Sequence, residues 1–135
     1  MYIFDGAMGT MLQAAGLEEG YCPELFNIER PEVVKDIHAQ YLQHGSDVIT
    51  TNTFGACGLK LEDYDLQDRV REINIAAVKV AKEAIAETKP TARVAGSMGP
   101  TGRFLQPLGN MSFDSIYDTY REQAEALIEG GVDFI

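Results

Sequence analysis

The sequence predicts an α/β protein made of parallel βα repeats, and three observations carry that prediction. Four short apolar runs of strand length recur along 135 residues. Segments with helical periodicity separate them. Three of the four runs end in a burst of Gly, Thr, Ser, Asp or Asn, as strands do where their carboxyl ends open on a crevice.

Taken in order, the first run is Tyr2-Ile3-Phe4, which passes into Asp5-Gly6-Ala7-Met8-Gly9-Thr10. A helix then opens at Pro31, whose ring suits the first helical position, with Glu32 beside the positive end of the dipole. Val33, Ile37 and Tyr41, flanked by Val34 and Leu42, form its apolar stripe, and Gly45 stands where a left-handed C-terminal cap is needed. The second run, Asp47-Val48-Ile49, leads into Thr50-Thr51-Asn52-Thr53-Phe54-Gly55. A second helix is expected from about Leu66 to Thr88, with Leu66, Val70, Ile73, Ala77, Ala81 and Ala84 on one face and Lys89-Pro90 as its stop. The third run, Ala92-Arg93-Val94-Ala95, leads into Gly96-Ser97-Met98-Gly99-Pro100-Thr101-Gly102, and residues 103–111 form a long connection expected to fold over the crevice as a lid. A third helix should span Phe113 to Glu129, N-capped by Ser112, with Ile116, Tyr120, Ala124 and Leu127 facing inward. The fourth run is Val132-Asp133-Phe134-Ile135. It repeats the helix end, glycine, Asp and apolar pair of residues 42–49 at matching offsets.

The order β-α-β-α-β-α-β implies a parallel sheet with right-handed crossovers, so the polar strand ends should gather at one edge. The chain is long enough for one domain and short for a complete barrel of about 250 residues. A net charge of −10, from 21 acidic and 11 basic residues, argues against a nucleic-acid partner or an anionic membrane surface. No run approaches the roughly 20 apolar residues of a spanning helix, and the N-terminus lacks the pattern of a signal peptide, so a cytoplasmic location is expected. In that compartment Cys22 and Cys57 read as free thiols.

Each candidate site has a structural reading beside the functional one. Asp5-Gly6 could present a carboxylate to an ammonium group beside a backbone open to close approach, or Asp5 could cap the segment that follows. Thr50-Thr51-Asn52-Thr53 offers hydroxyls and an amide on alternating sides of a strand, and threonine is also a good strand residue. The glycines of 96–102 lack the Gly-Lys-Ser/Thr ending of a phosphate loop. His38 and His44 are explained by packing and by the helix end. Met8, Met11 and Met98 are expected as core filler, and no Cys/His spacing describes a zinc site.

Three of these clusters, in this order, resemble the homocysteine S-methyltransferase family: Asp-Gly-Ala-Met-Gly-Thr at 5–10, Thr-Thr-Asn-Thr-Phe-Gly-Ala at 50–56 and Gly-Pro-Thr at 99–101. Cys22-Pro23-Glu24-Leu25-Phe26-Asn27 followed by Arg30-Pro31 strengthens the likeness, which covers the whole chain and is nearest to the homocysteine-binding module of the cobalamin-dependent members. The resemblance implies the N-terminal half of a (β/α)₈ TIM barrel, about three and a half βα units, with residues 1–135 forming a truncated homocysteine-binding domain. It implies that Asp5 accepts from the homocysteine ammonium, that Gly6 lets the backbone approach the amino-acid end, and that Thr51 and Asn52 hold that end. Zinc is implied as a cofactor with its cysteine ligands beyond Ile135, so neither a metal ligand nor a catalytic residue is expected within the chain. Methylcobalamin, charged from methyltetrahydrofolate by neighbouring cobalamin and folate modules, is the implied methyl donor. The expected partners are homocysteine, the remaining barrel half and those modules. A half barrel on its own should be inactive and prone to self-association through its open sheet edges. The reading from another class is a complete, non-catalytic flavodoxin-like binding domain.

Overall fold

A computed structural model describes residues 1–135. Its helices are α1 (Gly9–Ala14), α2 (Phe26–Glu29), α3 (Pro31–Gln43), α4 (Gly58–Leu61), α5 (Val70–Thr88) and α6 (Phe113–Gly130). The strands β1 (Val48–Thr50) and β2 (Arg93–Ala95) pair in parallel, with Val48 opposite Arg93, Ile49 opposite Val94 and Thr50 opposite Ala95. The first and fourth apolar runs add only single parallel bridges, Phe4 to Val48 and Ala95 to Phe134. Spatial order therefore follows chain order. A flavodoxin-like sheet separates its second and third strands by the first, so the direct pairing of β1 with β2 excludes that alternative.

The internal repeat has a physical explanation. Asp47 donates its backbone N–H to Ile3 O (2.7 Å) and accepts the Ile3 N–H on its carboxylate (3.0 Å). Asp133 does the same with Val94, at 2.9 Å and 2.8 Å. Each aspartate ties the start of its own strand to the preceding one, so the motif sets register rather than serving a ligand.

Leu42 of α3, Ile49, Ala81, Ala84 and Ile85 of α5, and Val94 form one apolar cluster, which places the helices over the sheet face that carries Ile49 and Val94. Phe4, Val48, Thr50, Ala95 and Phe134 point to the other face. Three strand spacings would separate the first and fourth runs by roughly 14 Å in a flat sheet. The rings of Phe4 and Phe134 nonetheless lie 6.2 Å apart, so the sheet curls around that face.

The helices follow the sequence expectations with three differences. Helix α5 begins at Val70 rather than Leu66, because Asp65 takes a left-handed conformation (φ 58°) and a 3₁₀ turn over Gln67–Arg69 precedes the helix. The short α1, α2 and α4 are not among the three helices the sequence predicts. On α6, Ser112 caps the helix by accepting from Ser115 N–H, but Gln123, Ala126 and Leu127 are the buried positions, while Ile116, Tyr120 and Ala124 are half-buried. Gly45 (φ 110°) and Gly131 (φ 88°) occupy the left-handed region where α3 and α6 end.

His38 on α3 is fully buried, and neither ring nitrogen has a hydrogen-bond partner. Burial pulls its pKa down to about 4. The unfolded chain protonates this ring near 6.5 while the folded chain resists until about 4, so the stability it confers is present above pH 6.5 and lost as pH falls towards 4. His38→Leu keeps the volume and removes the titration. It is expected to flatten the pH dependence of the denaturant midpoint between 6.5 and 4, a change worth about 3 kcal/mol at the acid end.

Candidate functional site

The site lies where the first three apolar runs end. A cavity of about 400 Å³ is lined by residues 7–9 after the first run, Pro23 and Glu24, residues 50–54 after β1, and Ser97 after β2. Convergence of these segments follows from parallel pairing in chain order, which brings successive strand ends side by side.

Asp5 does not cap a helix: α1 starts at Gly9 with Met8 as its N-cap and no side-chain cap. Its carboxylate instead accepts from Thr50 N–H (2.8 Å) and from the Thr50 hydroxyl (3.1 Å), joining the first run to the end of β1. Burial raises its pKa above the ordinary value, against the lowering effect of the Thr50 hydrogen bonds. A half-buried carboxylate with no cation beside it is suited to an ammonium ligand. Gly6 has a structural constraint of its own. A Cβ there would stand 3.0 Å from the Tyr41 ring and hydroxyl, and that hydroxyl donates to Ala7 O at 2.8 Å.

The threonine run divides by register. Thr53 donates its hydroxyl proton to Ser97 O (2.7 Å), so the 2.6 Å contact between the Thr51 and Thr53 hydroxyls has Thr51 as donor. Thr51 also accepts from Ser97 N–H (3.0 Å). Its proton is thus committed, and its hydroxyl can offer a ligand only an acceptor lone pair. Asn52 donates to Pro23 O (2.9 Å), and its backbone carbonyl accepts from Asn27 (2.8 Å). The structure therefore brings Thr51 and Asn52 to the cavity wall with Asp5 bonded just behind it, and much of their hydrogen-bonding capacity braces the site itself.

Sequence reasoning missed several residues here. Glu24, buried in the cavity wall, accepts from Gly55 N–H at 2.7 Å. Gln123 reaches from α6 to Thr53 O (2.8 Å) and to Asn74 (3.2 Å), and Asn74 donates to Ala56 O (2.9 Å) and Val70 O (2.8 Å). A polar residue at an inward position of a helix was the available signal for Asn74 and Gln123. The connection 103–111 carries a bridge between Leu105 and Met111 and leaves Phe104 and Leu108 exposed, and Tyr120 donates to Gly99 O at its base (3.1 Å).

The donors present do not fit a zinc site. Cys22 gives its proton to Glu24 (3.3 Å), and burial together with the Glu24 charge pushes its thiol up to about 12, opposite to what a thiolate ligand needs. Burial also raises the Cys57 thiol, and no group of three His, Cys, Asp or Glu side chains converges. No helix is long and apolar enough to cross a membrane.

Comparison with known proteins bears directly on this arrangement. The profile of the family described as homocysteine S-methyltransferase matches residues 2–135. Methionine synthase of Mycobacterium tuberculosis is 41% identical over 97% of this chain, and that of Mycobacterium leprae 39% over 97%. The chain spans only 12% of the length of each. Among solved structures, homocysteine methyltransferase MmuM from Escherichia coli superposes in its oxidised form with a TM-score of 0.80 at 26% identity, over 98% of this chain and 51% of that one. Its metallated form gives 0.79, over the same shares of both chains. A parallel sheet in chain order, a cavity at its strand ends and a match running through every one of those strand ends agree, and the chain belongs to the homocysteine S-methyltransferase family.

Proposed function

We propose that residues 1–135 form the N-terminal half of a (β/α)₈ barrel that binds homocysteine for transfer of a methyl group to its sulfur. The observation that carries this reading is the single cavity at three converging strand ends, walled by Thr51 and Asn52 and backed by the Asp5 carboxylate. The chain order of the strands and the curl that brings Phe4 against Phe134 support the barrel. Asp5 receives the ammonium. The Thr51 hydroxyl, able only to accept, assists it there and leaves the substrate carboxylate to backbone N–H groups. Gly6 keeps Tyr41 seated beneath that end of the site.

Zinc to activate the thiol, and methylcobalamin charged from methyltetrahydrofolate as donor, are assigned to protein outside residues 1–135, together with the rest of the barrel. The half alone is inactive in methyl transfer. Its open face, where Tyr2 and Phe4 are exposed, is where the remaining βα units sit, and self-association is the expected behaviour without them.

Calorimetric titration tests the reading. L-homocysteine is added to this chain alone and to the chain mixed with the adjoining barrel segment of the M. tuberculosis methionine synthase. Binding that strengthens with the added segment and becomes zinc-dependent is expected. Failure of homocysteine to bind in either case would sink the proposal.

A further inference from the structure

The segment Cys22-Pro23-Glu24-Leu25-Phe26-Asn27 carries part of the family likeness, and it touches the site more closely than a link between the first run and α3 needs to. Glu24 is 5% exposed and makes no ion pair. Its Oε1 accepts Gly55 N–H at 2.7 Å and its Oε2 accepts the Cys22 thiol at 3.3 Å. Two further hydrogen bonds run between the same stretches, from Asn52 to Pro23 O (2.9 Å) and from Asn27 to Asn52 O (2.8 Å). A Cβ on Gly55 would lie 2.8 Å from Oε1 and 3.3 Å from the carboxyl carbon, so a side chain there would displace the carboxylate.

A buried carboxylate with no cation is costly, and a chain that keeps one needs it satisfied by well-placed donors. Here the donors are a thiol and the one backbone N–H that ends the strand-end segment. We propose that Glu24 is a positioning residue: its carboxylate latches residues 52–55 into the conformation that forms one wall of the substrate cavity. Asn52 and Asn27 close the latch at its other end. The consequence for substrate rests on the reading of this cavity as the homocysteine site.

Amide hydrogen exchange at Gly55, measured with L-homocysteine affinity on the same samples, tests the latch in wild type, Glu24→Gln, Glu24→Ala, Gly55→Ala and the Glu24→Ala/Gly55→Ala pair. Glutamine keeps an acceptor for Gly55, so exchange and affinity should stay within about threefold of wild type. Alanine at 24 should speed Gly55 exchange at least tenfold and weaken homocysteine about tenfold. Gly55→Ala should weaken homocysteine to the same extent, and the double variant should be no worse than Glu24→Ala, because the space the Cβ needs is then vacant. Equal Gly55 protection in wild type and Glu24→Ala overturns the latch, whether or not homocysteine binds. So does unchanged homocysteine affinity in Glu24→Ala, or a loss in Glu24→Gln as large as in Glu24→Ala. The expected exchange pattern in a chain that takes up no homocysteine would support the latch and overturn the substrate reading instead.

Discussion

Asp5→Asn is expected to weaken L-homocysteine binding by ten- to a hundredfold while leaving the thermal midpoint unchanged or raised. On the proposed function the carboxylate serves the ligand at a cost to the fold, so the two effects separate. Burial raises the Asp5 pKa, so the folded chain holds a proton there more readily than the unfolded chain does. Stability therefore falls as pH rises through the window between the ordinary value of 3.8 and the raised one, and at neutral pH the ionised group is a net penalty. Asparagine removes that penalty and still offers an oxygen to Thr50 N–H, the 2.8 Å bond that ties the first run to β1. It cannot offer an ammonium group a negative partner, and a hydrogen bond to a charged group is worth about 1.5–3 kcal/mol. Titration calorimetry at neutral pH and a thermal melt read the two halves. A variant that binds normally would show that Asp5 only joins strands, and one that binds weakly because it melts early would show the same. Opposite movements of stability and binding are the mark of a functional carboxylate.

Asn74→Ala is expected to cost about 3 kcal/mol in denaturant unfolding with no change in slope, and to lower the melting midpoint on the order of 10 °C. Asn74 is fully buried on α5, where it satisfies the carbonyls of Ala56 and Val70 and accepts from Gln123. Alanine leaves the Ala56 carbonyl without that donor in the dry interior and deprives Gln123 of one acceptor. The same change should loosen the 53–56 segment, since Gln123 also holds Thr53 O at 2.8 Å. Homocysteine affinity should fall with it, whereas a stability loss of similar size from Ile85→Ala, remote from the strand ends in the α3–α5 cluster, should leave affinity alone. Equal effects of the two on binding would mean that the polar network has no special link to the site.

How much of this was legible beforehand depended on whether the signal was local. The apolar stripe of α3, the glycine at its end and the Ser112 cap are written in consecutive turns of helix, and the structure bears each of them out. The strands were legible as apolar runs, but only β1 and β2 form a ladder, and the first and fourth runs add single bridges. The repeated Asp of residues 47 and 133 was visible as a pattern, while its purpose was not, since each carboxylate acts on a strand some forty residues earlier. Gln123 and Glu24 were passed over for a related reason. What each does depends on a backbone group of residues 53–55, far from it in the chain.

By itself the sequence determined the alternation of elements, the polar ends of the first three strands and the family, because hydrophobic period, caps and strand-end motifs are properties of neighbouring residues. Only the tertiary structure decided the chain-order pairing that rules out a flavodoxin-like sheet, the commitment of the Thr51 proton to Thr53, and the closing of Glu24 on Gly55. Each of these rests on a contact between segments far apart in the chain, since Thr51 must give its proton to Thr53 only because Thr53 gives its own to Ser97 O. The energy of such a contact depends on distances of a few tenths of an ångström, which no spacing along the sequence encodes.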